Sequence, residues 1–161
     1  MAALSVLAIA VASGKASYVF LRDGKLQDWG ITVKAVTSGT DLVGFVQGLI
    51  NELKPDVVVT EHCGEDCRKG KKSRSLIASI TQLARHNMVL DVSVDRPRTY
   101  PSKYEEAEAL AEQHPEIAGY LPDRKRRIFD FEPRGMVLFE ALALAEEVIK
   151  GPPTRLAAAM G

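Results

Sequence analysis

The stretch SVLAIAVASGKASYVFLRDGKLQDWGITVK, residues 5–34, decides how the sheet of this chain begins. Residues 5–12 are apolar almost without interruption, which predicts a central strand buried on both faces. A glycine turn leads into a second strand over residues 16–22. Asp23–Gly24 is a strong hairpin signal before a third, more polar strand over residues 25–34. The chain is therefore predicted to open with a three-stranded antiparallel meander whose third strand lies nearer an edge.

After this meander, the spacing of apolar residues changes from strand-like to helical. Helices and short apolar strands then alternate, and a βαβ connection between parallel strands has to be right-handed. The sequence predicts an α/β fold with a five-stranded mixed sheet, three strands antiparallel and the rest from a βαβ unit, and helices on both faces. The predicted elements are a helix over 42–53, a strand over 56–60, a helix over 73–86, a strand over 88–94 and helices over 103–113 and 135–150.

Composition is typical of a globular protein: 161 residues, 46% hydrophobic and 26% charged. We expect one domain over residues 1–150 and a mobile tail over 151–161. Lys plus Arg and Asp plus Glu both number 21, which argues against nucleic-acid coating by bulk charge but allows a local basic patch. No apolar run is long enough to span a bilayer, and no basic residue precedes the apolar opening as in a signal peptide.

The two cysteines do not form a secreted disulfide framework, so a reducing, cytoplasmic location is expected. His62, Cys63 and Cys67 are weak zinc candidates, because no second ligand pair accompanies them.

Carboxylates occur at three places that could carry chemistry. Glu61 directly follows the apolar strand 56–60, and sites in open α/β sheets form at the carboxyl ends of strands. It could equally be the first residue of a loop. Glu140 lies inside the most apolar helix, either on a solvent-facing stripe or turned inward, where it would need a metal, a base or a proton. Glu132 could favour the amino end of that helix or take part in catalysis.

Four segments together resemble the RuvC-like Holliday-junction resolvases, in a divergent phage or bacterial-type branch of the ribonuclease H-like superfamily. VLAIAVASG resembles the first family motif, which reads like I-L-G-I-D-P-G. PDVVVTEHC resembles the second, in which a strand-end Glu binds metal. FEALALA is similar to the last motif, and SKYEEAEALA resembles a helix that starts with an active-site Lys. The resemblance covers most of residues 5–150 and implies a ribonuclease H-like fold.

Position 10 departs from the family pattern. Ala10 stands where the family has its first aspartate, either through an engineered inactivating substitution or naturally, as in a pseudoenzyme. Val137 stands where a second acidic residue usually precedes the last one, and Glu132 is a possible replacement. The resemblance assigns Glu61 and Glu140 as metal ligands.

The implied activity is hydrolysis of branched or structured DNA by two Mg²⁺ or Mn²⁺ ions, which activate a water and stabilise the leaving oxygen. The resemblance implies that Lys103 contacts the scissile phosphate or stabilises its charge. With Ala10, we expect a weak or inactive nuclease, and two-metal binding only if position 10 is Asp. Resolvases of this kind act as symmetric dimers, so a homodimer is expected.

Three basic segments could bind the phosphate backbone around the same edge of the sheet. Each by itself is more simply a solvated loop, but their convergence favours nucleic acid. The predicted DNA-binding residues are Lys69, Lys71, Lys72 and Arg74 after the fourth strand, Arg96 and Arg98 after the fifth, and Arg124, Arg126 and Arg127 further on.

Two rival functions remain open. A non-catalytic relative would bind or assemble on nucleic acid without cutting it, since fold does not determine function. Actin-like and sugar kinases share the fold, but they need two such domains and this chain has room for one.

Overall fold

The computed structural model describes residues 4–33, 36, 38–63, 69–95, 102–121 and 135–150. Within these ranges it confirms the predicted α/β class and the order of elements. The strands are β1 (Ser5–Ala12), β2 (Lys15–Arg22), β3 (Lys25–Thr32), β4 (Val57–Glu61) and β5 (Leu90–Val94). The helices are α1 (Gly39–Leu53), α2 (Lys71–His86), α3 (Lys103–Gln113) and α4 (Met136–Lys150), with a 3₁₀ helix at Pro115–Tyr120 between α3 and α4.

The five strands form one mixed sheet in the order β3-β2-β1-β4-β5. β1 pairs antiparallel with β2 and parallel with β4, so it lies at the point where strand direction changes. β3 is an edge strand of this sheet, as its more polar sequence predicts. The central place of β1 accounts for its composition, because residues 6–11 are buried on both faces.

Helices cover both faces of the sheet, and each face has its own apolar core. Val6, Ala8 and Ala10 of β1 belong to the core that includes α3 and α4. Leu7, Ile9 and Val11 belong to the core that includes α1 and α2. The alternation of side chains along a strand thus divides β1 between two layers, and it places Ala10 under α4.

Several boundaries differ from the predicted ones. α2 begins at Lys71, two residues early, with Gly70 as its amino-terminal cap. β5 begins at Leu90 rather than residue 88, because Met88 has a positive φ of 59° and is 94% exposed in the turn after α2. The segment after α3, for which no element was predicted, contains the 3₁₀ helix, whose first residue is a proline.

No helix in the described ranges is long and apolar enough to cross a membrane. The tail over 151–161 lies outside the described residues, so its predicted mobility stays a prediction.

Candidate active site

The ends of β1 and β4 bring position 10 next to Glu61. The parallel ladder pairs Val6 with Val57 and Ala8 with Val59. Continuing this register by two residues sets Ala10 beside Glu61, on the face of the sheet that α4 covers. Glu61 is the last residue of β4 and is half-buried, so it is not a freely solvated loop residue.

Glu140 is turned inward from α4 toward the same place. It is 5% exposed, which excludes the solvent-stripe interpretation. α4 is buried on nearly all sides over residues 136–145 and contacts both the sheet and α3. Ser17, which pairs with Ala10 across the β1–β2 ladder, donates its hydroxyl to the carbonyl oxygen of Val137 at 2.6 Å. This buried hydrogen bond joins the first turn of α4 to the sheet and thereby helps to position Glu140 over the strand ends.

Lys103 reaches Glu140 from α3. Its Nζ donates to Oε1 of Glu140 at 3.2 Å. Lys103 is the first residue of α3, and the Ser102 hydroxyl caps the helix by accepting from the backbone N–H of Glu105. The helix dipole disfavours a cation at the amino terminus of a helix. The carboxylate of Glu140 compensates for this unfavourable interaction.

Lys69 lies at the centre of the site. Its Nζ donates to the backbone carbonyl of Val11 at 2.7 Å, at the end of β1. The same nitrogen is 3.9 Å from Oε2 of Glu61 and 3.9 Å from Oε2 of Glu140. Both of these carboxylate distances exceed hydrogen-bonding length, so the attraction is electrostatic. The side chain is only 18% exposed. We call Glu61, Glu140, Lys69 and Lys103 the carboxylate–lysine cluster.

The described residues do not fit a two-metal site. Two hard divalent ions about 4 Å apart need several bridging and terminal oxygen ligands. Here Ala10 supplies none, and no group of three or more His, Cys, Asp or Glu side chains converges among the described residues. In addition, an ion held by both Glu61 and Glu140 would compete for space with the Lys69 ammonium. The formal charges of the carboxylate–lysine cluster already cancel, with two negative and two positive groups.

The remaining predicted site residues fall into two groups. Lys71, Lys72 and Arg74 are exposed in the first turn of α2, and Nε of Arg74 donates to the carbonyl of Lys69. These side chains can therefore face a ligand near the same edge. Six predicted residues lie outside the described ranges, and their roles stay predictions: Arg96, Arg98, Arg124, Arg126, Arg127 and Glu132.

Two features escaped the sequence interpretation. Glu146, near the end of α4, has a side chain that is only 12% exposed and contacts Nε2 of His114 at 2.7 Å. That pair joins α4 to the segment after α3. Lys69 was predicted only as a phosphate contact, whereas it faces both carboxylates. Its place in a loop before α2 carried no signal for that contact. Cys63, the weak zinc candidate, is disulfide-bonded and so has no thiolate to offer a metal.

No protein-family model matches the chain, and no curated protein sequence matches it either. Solved structures do. Thermus thermophilus RuvC in complex with a Holliday-junction substrate superposes with a TM-score of 0.55 at 12% identity, covering 92% of this chain and 96% of that one. The fowlpox virus resolvase in complex with Holliday-junction DNA superposes with a TM-score of 0.58 at 13% identity, covering 91% of this chain and 99% of that one.

Identities this low establish the fold alone. The strand order, the three antiparallel strands followed by parallel ones, and the near-complete coverage of both solved structures agree with the fold that the sequence motifs predict. The chain thus has the ribonuclease H-like fold of the RuvC-like Holliday-junction resolvases.

Proposed function

We propose that this protein binds branched DNA of the Holliday-junction type at the carboxyl edge of β1 and β4, and that with Ala10 it cleaves this DNA weakly or not at all. One observation carries the proposal. Glu61 and Glu140, which are 79 positions apart in the sequence, converge on one ammonium group beside Ala10, at the strand ends where sites of such sheets form.

Basic side chains around this edge support DNA as the partner. Lys71, Lys72 and Arg74 are exposed next to the carboxylate–lysine cluster, and the Lys103 side chain is 47% exposed. Contacts from such groups to phosphates are independent of sequence and weaken steeply with salt. Lys103 would contact the scissile phosphate or stabilise its charge. The two resolvases of similar fold were solved with Holliday-junction DNA, which supports a branched substrate.

Mg²⁺ or Mn²⁺ belongs to this proposal only when position 10 is Asp. An aspartate there would add a third carboxylate beside Glu61 and Glu140 and give the site a net negative charge, which favours hard divalent ions. The chain with Ala10 lacks this ligand set.

The test compares the chain with its Ala10→Asp variant on a synthetic four-way junction and on linear duplex, each in Mg²⁺ and in Mn²⁺. We expect cleavage by the Ala10→Asp variant, preferentially of the junction, and little or none by the parent. Ala10→Asn is the matched control, because it has nearly the same shape as aspartate without its charge and should stay inactive. Cleavage by Ala10→Asn at the same rate would contradict a role for the carboxylate.

A non-catalytic junction-binding protein is the alternative outcome. It is indicated if both chains bind the junction with a steep salt dependence and neither cuts it. Absence of both binding and cleavage would overturn the nucleic-acid assignment itself.

Homodimerisation and a cytoplasmic location are part of the proposal as well, and the disulfide of Cys63 departs from the reduced thiols expected in that compartment. A junction offers two equivalent strands, which suits a two-fold symmetric protein. Light scattering of the purified chain, alone and with junction DNA, tests the dimer.

A further inference from the structure

We propose that the Lys69 ammonium is the resident cation of the carboxylate–lysine cluster and excludes divalent metal from it. The inference rests on the proposed function in taking Glu61 and Glu140 as the metal ligands of a RuvC-like site. Its test uses no DNA, so the two proposals can fail separately.

The position of the ammonium is the first argument. It lies 3.9 Å from a carboxylate oxygen of Glu61 and 3.9 Å from one of Glu140. It also takes a 2.7 Å hydrogen bond to the Val11 carbonyl. Carboxylate and backbone carbonyl oxygens are the ligands that hard divalent cations choose. The lysine nitrogen is thus surrounded by the same donors that a metal ion at this strand end would use.

Burial is the second argument. Glu140 has a side-chain exposure of 7%, and both Glu61 and Lys69 have 18%. Water is therefore a weak competitor here, and a buried carboxylate needs a cation close by. Lys71 and Lys72, the next lysines in the chain, are both exposed, so inward placement of Lys69 is a property of this position and not of the basic segment.

Charge balance is the third argument. With Ala10, the cluster has two carboxylates and two ammonium groups, so a divalent ion would enter a site that is already neutral. Removing Lys69 leaves one net negative charge and opens the space between the carboxylates. Adding a carboxylate by Ala10→Asp also makes the net charge of the cluster more negative. Divalent-cation affinity should therefore rise from the parent to either single variant and again to the double variant.

The experiment measures Mn²⁺ binding by titration calorimetry and by thermal unfolding in EDTA and in about 5 mM Mn²⁺. Lys69→Met preserves the aliphatic stem without the charge. Lys72→Met is the matched control, since it removes the same charge from an exposed site nearby. We expect Lys69→Met to bind Mn²⁺ at least about tenfold more tightly than the parent and to gain about 3–5 °C in Tm from the ion. Lys72→Met should have the Mn²⁺ affinity and the Mn²⁺-dependent Tm shift of the parent.

Two further variants make the result specific. Lys69→Gln removes the charge but keeps a donor for the Val11 carbonyl, and it replaces Lys69→Met if that chain does not fold. Adding Glu140→Gln to either should abolish the gained affinity, because the ion loses a carboxylate. An Mn²⁺ affinity that is unchanged on removal of Lys69, or absent from parent and variants alike, overturns the proposal. An equal gain in Lys72→Met overturns it too, since bulk charge would then be the cause.

Discussion

Replacing Glu140 by Gln tests whether the two lysines stabilise a buried carboxylate or merely lie near it. At an effective dielectric constant of about 20, Coulomb attraction is about 5 kcal/mol for the 3.2 Å pair with Lys103 and about 4 kcal/mol for the 3.9 Å pair with Lys69. These energies do not yet include solvent screening or the cost of desolvating the charges. Lys103 is 47% exposed, so solvent screening reduces its share to about 1 kcal/mol.

Desolvation of the carboxylate offsets much of the remainder, at several kcal/mol for each buried ion. Gln keeps the size of Glu, so cavity formation does not contribute. We expect Glu140→Gln to lower the free energy of unfolding by about 2–3 kcal/mol, which corresponds to a fall in Tm of about 4–12 °C for a chain of this size.

Denaturant unfolding in EDTA is the assay, with Glu112→Gln as the control. Glu112 is an exposed acid on α3, and its neutralisation should change stability by no more than about 0.5 kcal/mol. A Glu140→Gln variant as stable as the parent, or more stable, would refute the reasoning. It would mean that the lysines do not offset the desolvation of Glu140 and that the site is strained without a metal, as functional sites often are.

Two other predictions concern the scaffold. Burial first, and then the charge and hydrogen bond of Asp28, raise the pKa of Tyr18 from 10.0 to about 12. The folded state therefore holds this proton more tightly, and the resulting stability, fully present below pH 10, should be lost as pH rises toward 12. In urea unfolding between pH 10 and pH 12, the free energy of unfolding of Tyr18→Phe should fall less steeply with pH than that of the parent. The same pH dependence in both chains would contradict the raised pKa of Tyr18. Gly135→Ala should lower Tm by about 2–12 °C, because its Cβ would overlap the backbone carbonyl of Tyr120. Gly119→Ala, with open space around it, is the control in a thermal melt, and equal effects of the two would argue against this close approach.

The pattern of apolar residues was sufficient for the sheet and most helices. β1 and α3 have the predicted limits, and β3 lies at an edge as its polarity indicates. The spacing of apolar residues predicts an element well where one or both of its faces are buried, because burial then requires apolar residues at regular intervals. They failed at Met88, where a left-handed turn residue delays the start of β5, and in the 3₁₀ helix at Pro115–Tyr120, whose short run has no helical periodicity.

The candidate site was predictable only in part. The place of Glu61 at the carboxyl end of a strand could be predicted from the sequence, whereas its position beside Ala10 follows from the β1–β4 ladder. Position 17 looked like an ordinary strand residue, yet the Ser17 hydroxyl anchors α4 through the Val137 carbonyl. The two partners of this hydrogen bond are 120 residues apart, so the local spacing of residues does not predict it.

Residue type and spacing were sufficient to predict the α/β class and the central strand, and they made Glu61 and Glu140 candidates. Position 10 was singled out by the family resemblance, in which Ala10 stands where an aspartate is expected. Only the tertiary structure decided that Glu140 faces inward and that Lys69 stands between it and Glu61. The physical reason is that a long lysine side chain can reach any of several carboxylates. The partner of Lys69 depends on where α4 and the start of α2 place the two side chains relative to the strand ends.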